Sequence, residues 1–196
     1  MNNKKKIILL VVAFLLTIAA SVGVTLAWLT AKTDEVTNTF APSDIEITLT
    51  ETKGTAISNG REFLMVPGHR IEKDPTVTVE ANSEKCYVFV EVTKTDNLDT
   101  YLTYYIASGW TELTEGSGVY YRTVDKTATD KSFSILTDDK VTVKDTVTKA
   151  DMDTLDEVSK YPKLTFKAYA MQYWKTATTA FAVEDAWQQA RTSQSN

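Results

Sequence analysis

A single cysteine and a single histidine occur in the 196 residues. One Cys cannot close an internal disulfide or build a Cys-ligated zinc or iron–sulfur centre. One His supplies neither the two-His zinc signature of metalloproteases nor a three-His catalytic zinc site. Glycine is scarce, at seven residues. No phosphate-cradling G-x-x-x-x-G-K and no dinucleotide-binding G-x-G-x-x-G is present, so nucleotide binding has no support. Basic residues are outnumbered, 21 Lys and Arg against 26 Asp and Glu, for a net charge of −5. That balance argues against a nucleic-acid partner, which calls for a clustered basic footprint. The hydrophobic share of 43% is too high for a disordered chain, and the length suits one domain of ordinary size.

The long apolar run is confined to the start. Lys4, Lys5 and Lys6 precede an apolar stretch from Ile7 to Ala20, interrupted only by Thr17. Ser21, Gly23 and the triplet Thr25-Leu26-Ala27 follow. A positive segment, an apolar segment and a small-residue site, in that order, describe a secretory signal peptide as an N-terminal helix, here residues 1–27 with cleavage between Ala27 and Trp28. An uncleaved anchor is the alternative, because Ile7 to Leu29 is 23 residues without a charge, long enough to span a bilayer. Cleavage is preferred because the small-residue site stands where a signal peptidase needs it. Removing 27 residues and their three lysines from 196 residues of charge −5 leaves 169 residues of charge −8. Contact with a membrane is then expected only through the signal segment before cleavage. An exported chain without disulfides must be held by its core, which is feasible at this size.

The remainder reads as β. Threonine occurs 31 times, beside many Val, Tyr and Phe, which suit a pleated half-buried surface. Asp44–Thr50 alternates cleanly, with Ile45, Ile47 and Leu49 expected toward a core. Thr76–Glu80, Gly118–Val124, Lys140–Lys144 and Lys163–Met171 are further candidate strands. Cys86–Val92 is apolar on both faces, which predicts a central strand. Turn residues separate these runs at Ser58–Gly60, Pro67-Gly68, Ala81–Ser83, Gly116–Gly118 and Asp138-Asp139. Two short helices are expected. One has Thr148 as N-cap and Asp151 as its capping-box partner and runs to about Val158. The other runs from Val183 to about Arg191, with Glu184 and Asp185 in its first turn. Many short strands with small helical insertions predict an all-β chain, an antiparallel sandwich or jelly roll, over residues 41–191. Thr192 to Asn196 read as a frayed polar tail.

Side-chain chemistry is thin. His69 lies in the turn Val66-Pro67-Gly68-His69-Arg70, and no second His accompanies it as a ligand. Cys86 opens the central strand, where a buried inert thiol is the expectation. Asp151, Asp153 and Asp156 lack the spacing of a calcium loop and read as solvated helix and turn faces. Tyr101, Tyr104, Tyr105, Tyr120, Tyr121 and Trp110 form an aromatic-rich stretch that is either a carbohydrate or partner surface, or sandwich core. No catalytic, cofactor-binding or metal site is expected, and no enzymatic activity.

The segment Trp28–Phe40 remains. It carries β-forming residues, and Leu29, Val36, Asn38 and Phe40 are the candidate contact residues of an extended arm, the last three sharing one face. Such an arm can pair with its own sheet or with the edge of another copy, and the second option propagates a filament.

Gly23–Thr30 followed by Asp34–Phe40 resembles the export region of the TasA/camelysin family of Gram-positive secreted proteins. Met65–Lys73 resembles that family's Pro-Gly turn before a strand. Tyr169-Ala170-Met171-Gln172 with Ala186-Trp187 resembles the ending of its small members. The resemblance implies processing by a signal peptidase of the SipW type, a jelly-roll-like β-sandwich, and an extracellular location in the biofilm matrix. It also implies self-assembly into fibres, with residues 28–40 donated as a strand to the neighbouring subunit. Some members are described as metalloproteases; no zinc-protease motif occurs here, and that activity is not carried over. A monomeric surface adhesin or binding module using the aromatic stretch is the alternative function, and a camelysin-like metalloprotease ranks last.

Overall fold

The computed structural model describes residues 2–13, 44–58 and 60–193. Residues 3–13 form helix α1, and the chain from Pro42 onward is a separate unit. The expected cleavage pair Ala27 and Trp28, and the arm residues Leu29, Val36, Asn38 and Phe40, lie outside the described residues.

The second unit is built from antiparallel strands with a few short helices. In chain order its strands are β1 (Ile47–Thr50), β2 (Thr55–Ile57), β3 (Gly60–Glu62), β4 (Arg70–Glu72), β5 (Thr76–Val79) and β6 (Cys86–Lys94). The short helix α2 (Leu98–Tyr101) leads into β7 (Leu102–Thr103), β8 (Thr111–Glu112), β9 (Val119–Val124), β10 (Ser132–Ser134) and β11 (Lys140–Val143). Helix α3 (Lys149–Asp153), β12 (Leu164–Gln172) and helix α4 (Val183–Ser193) complete it.

One sheet has the order β12-β6-β9-β8. Strand β6 is paired on both sides, Phe89 lying opposite Tyr169 on β12 and Tyr121 on β9. Its two-residue period sends Cys86, Val88, Val90 and Val92 into one core and Tyr87 and Phe89 into another. The apolar-on-both-faces pattern therefore marks a strand covered on both faces. Gly118 enters β9 at φ 68, where a Cβ would stand 2.8 Å from the Val92 carbonyl oxygen, so no side chain fits there.

The face bearing Val88 and Val90 packs on a second sheet, β1-β5-β10, through Val77 and Val79 of β5. A third sheet, β4-β11-β7, continues the same chain paths. Between them Ile135 N–H donates to the Pro75 carbonyl at 2.9 Å and Lys73 N–H to the Asp139 carbonyl at 2.8 Å. The path from β10 to β11 jogs at Asp138 and Asp139, both in the left-handed region at φ 54 and 51. Leu98, Leu136, Val141 and Val143 fill the core beneath this third sheet.

The opposite face of the four-stranded sheet is covered by α4. Trp187 sits 5.5 Å from the Phe89 ring and edge-on to Tyr169 at 5.1 Å. Ala186 and Ala190 let the helix approach closely, and both are buried.

Several local expectations need correction. Leu49 is 38% exposed rather than a core residue, although Ile45 and Ile47 do pack against the core. The capping box of Thr148 and Asp151 is formed. Its helix nevertheless ends at Asp153, and the chain re-coils as a 3-10 turn at Val158–Lys160. Five residues offer no complete apolar stripe, and Met152 and Leu155 turn the chain back against the third core. At the other end α4 continues through Ser193, its Thr192 hydroxyl donating to the Gln188 carbonyl at 2.7 Å, so Thr192 and Ser193 are helical rather than frayed.

Candidate assembly edge

Strand β1 ends its sheet, pairing with β5 alone. The Glu46 carbonyl accepts from Glu80 N–H at 2.8 Å, and the Glu46 N–H donates to Ser83 Oγ at 3.1 Å. Antiparallel pairing alternates, so residues 46, 48 and 50 direct their main-chain groups toward β5. The main-chain groups of Ile47 and Leu49 point the other way, and no strand pairs with them among the described residues.

Strand β12 ends the opposite sheet in the same manner. Lys163 accepts from Thr95 N–H at 3.0 Å and Tyr173 N–H donates to Lys85 at 3.0 Å. Odd residues therefore face β6, and Leu164, Phe166, Ala168 and Ala170 present their main chain outward. β1 and β12 lie against each other, so both open edges belong to one side of the unit.

Beside β1 lies a groove of about 270 Å³. Leu49, Pro75 and Phe166 give it an apolar floor, and Glu51, Gly60 and Arg61 form its rim. The Lys73 ammonium, nearly buried, is 2.6 Å from Glu51 Oε1 and lies over the rings of Phe63 at 4.8 Å and Phe166 at 5.5 Å. Where β1 ends, Asp74 accepts from Thr52 N–H at 2.9 Å and Lys53 N–H at 3.0 Å. Burial opposes the charged form of Asp74, but the hydrogen bond from the Thr52 hydroxyl, at 2.5 Å, and those from the two backbone N–H groups outweigh it and hold the carboxyl below its ordinary value.

At the far side of the two layers the terminal strands are β8 and β10. The Arg122 guanidinium lies 3.6 Å over the Phe133 ring and 5.2 Å from the Trp110 ring centre. Trp110 Nε1–H donates to the Ser134 carbonyl at 2.8 Å. A cation stacked on two rings thus bridges β9 and β10.

The other sequence candidates are scattered. His69 is exposed in its turn, its N–H bonded to the Val66 carbonyl at 3.0 Å. Cys86 is fully buried and burial pushes its thiol up to about 11, which keeps it protonated and unreactive. No group of three His, Cys, Asp or Glu is placed to hold a metal ion among the described residues. The aromatic stretch does not form one surface. Tyr101 is buried under the third sheet, Tyr121 faces the α4 side, and Trp110 packs against the inner core. Only Tyr104, Tyr105 and Tyr120 line a common groove.

Leu49, Glu51, Arg61, Lys73 and Phe166 escape sequence reading as site residues. Which strand ends a sheet is a property of topology, and the strand alternation of Leu49 and Phe166 looks the same for a core residue. Among known proteins, no family model, curated protein or solved structure matches the chain.

Proposed function

We propose that the protein is a secreted, non-enzymatic structural subunit with a jelly-roll-like β-sandwich that assembles with further copies of itself into extracellular matrix fibres. A signal peptidase of the SipW type removes residues 1–27, and the freed arm 28–40 adds as a strand to the open β1 edge of the next copy. The observation that carries this reading is the outward main chain of Ile47 and Leu49, without a strand partner among the described residues, beside an apolar groove. Strand addition draws affinity from main-chain hydrogen bonds and specificity from pockets for alternate side chains, which suits the shared face of Val36, Asn38 and Phe40. The start of the chain supports export: three lysines lead into α1, whose Ile7, Ile8, Leu9, Leu10, Val11 and Val12 are all exposed. No helix among the described residues is long and apolar enough to cross a membrane. The resemblance of Gly23–Phe40 to the TasA/camelysin export region supports the same assignment.

Placing proline at a strand position whose N–H faces outward removes the donor that an added strand needs while sparing the ladder on the other side. Leu49→Pro is therefore expected to keep a folded monomer, with an unchanged far-ultraviolet circular dichroism spectrum, and to abolish filaments in negative-stain micrographs. Filaments of normal length and abundance in Leu49→Pro would refute the β1 edge as acceptor.

A further inference from the structure

Tyr104, Tyr105 and Tyr120 line a groove of about 500 Å³, together with Lys94, Asp99 and Lys144. Its volume falls within the roughly 300–1,000 Å³ of small-ligand clefts. It shares no residue with the groove beside β1.

The three rings are held differently. Tyr104 and Tyr120 are half-buried and pack against the inner core. Burial, and then the negative charge of Glu112, raises the Tyr120 phenol, and burial raises that of Tyr104. Both hydroxyls stay protonated, each able to donate and to accept. Tyr105 belongs to no core cluster and is 71% exposed. Its backbone is nevertheless fixed, because its carbonyl accepts from Thr137 N–H at 2.9 Å and the next carbonyl, of Ile106, accepts from the Thr137 hydroxyl at 3.0 Å. A large amphipathic ring on a rigid backbone supplies contact area at low ordering cost.

The charges at the groove are already engaged. The Lys94 ammonium is paired with the Asp99 carboxylate, and the Lys144 ammonium donates to the Asp99 main-chain carbonyl. The lining carries two lysines against one carboxylate. Glu112, directly opposite Tyr120 on β8, adds a second carboxylate one strand away that offsets the second lysine. What remains are spare N–H donors, carboxylate lone pairs and two phenol hydroxyls around an exposed ring, a set that matches a ligand rich in uncharged hydroxyls with an apolar face.

We propose that this groove binds an uncharged oligosaccharide, with the Tyr105 ring stacked on a sugar face and the Lys94–Asp99 pair and the Tyr104 and Tyr120 hydroxyls bonding its hydroxyl groups. The site stands apart from the assembly edge and does not depend on the assembly reading. Aromatic grooves also receive proline-rich peptides, but such a segment has few donors to meet the fixed polar groups here.

Isothermal titration calorimetry of the purified full chain tests the proposal, with cellohexaose, mannohexaose and chitohexaose as neutral probes, hyaluronan oligosaccharide as an anionic one, and a decaproline peptide. The expected result is 1:1 binding of at least one neutral hexasaccharide. Tyr105→Ala should weaken it tenfold or more with an unchanged melting temperature, while Tyr105→Phe, which keeps the ring, stays within threefold of the native protein. The proposal is overturned if no neutral probe binds, if Tyr105→Ala binds as tightly as the native protein, or if hyaluronan or decaproline binds more tightly than every neutral hexasaccharide.

Discussion

Deleting Trp28–Phe40, with the export signal retained, is expected to yield a folded protein that no longer forms filaments. The fold survives because the described cores are composed of residues from Ile45 onward, and the capping box, the α4 contacts and all described strand pairs lie beyond the deleted segment. Assembly fails because the open edge of β1 then has nothing to receive. Thirteen residues at about 3.3 Å each extend to roughly 43 Å, far longer than the four-residue strand they are to pair with. The surplus leaves room for a linker between subunits. Non-specific association does not substitute for the arm: the deleted segment holds Lys32, Asp34 and Glu35, so arm-deleted copies without the signal segment carry −8 + 1 = −7 and repel one another. Size-exclusion chromatography should place the deletion at monomer size, and micrographs of it should be empty of filaments.

Phe89→Ala is expected to be the most damaging single core truncation. Phe89 is fully buried at the middle of β6, with Trp187 at 5.5 Å, Tyr87 at 6.0 Å and Tyr121 at 6.3 Å. Its removal leaves a cavity where α4 meets the four-stranded sheet, and such Phe→Ala changes cost about 3–5 kcal/mol. That is a large part of a stability of about 5–15 kcal/mol, and no disulfide is present to offset it. At about 2–4 °C per kcal/mol for a domain of this size, calorimetry should show the melting temperature falling by about 6–20 °C. A fall of 1–2 °C would mean that α4 does not dock as described.

The long strands were legible because burial on defined faces writes a period of two into the sequence. β5, β11 and β12 carry it, and doubly covered β6 is apolar on both faces from Cys86 to Val90. The capping box was legible because Thr148 and Asp151 satisfy each other's backbone partners locally. β2, β3, β4, β7, β8 and β10 span two or three residues each, too few for a period to show, and distant partners define them. Alternation also explains the fate of the aromatic stretch. Tyr120 and Tyr121 are neighbours in sequence, yet they face opposite cores across one strand. The donor side of the candidate site was suggested by Val36, Asn38 and Phe40. The acceptor side was not, because Leu49 becomes an edge residue only through the order β1-β5-β10.

In the proposed assembly, residues 28–40 of one copy occupy the β1 edge of another. Fluorescence anisotropy of a labelled synthetic peptide, Trp28 to Phe40, titrated with the arm-deleted protein tests it without any need for filaments. The expected result is saturable 1:1 binding that is lost in arm-deleted Leu49→Pro and weakened at least tenfold in a peptide carrying Val36→Asp and Phe40→Asp. No binding, or binding that ignores both the Leu49 edge and the Val36 and Phe40 side chains, would contradict it.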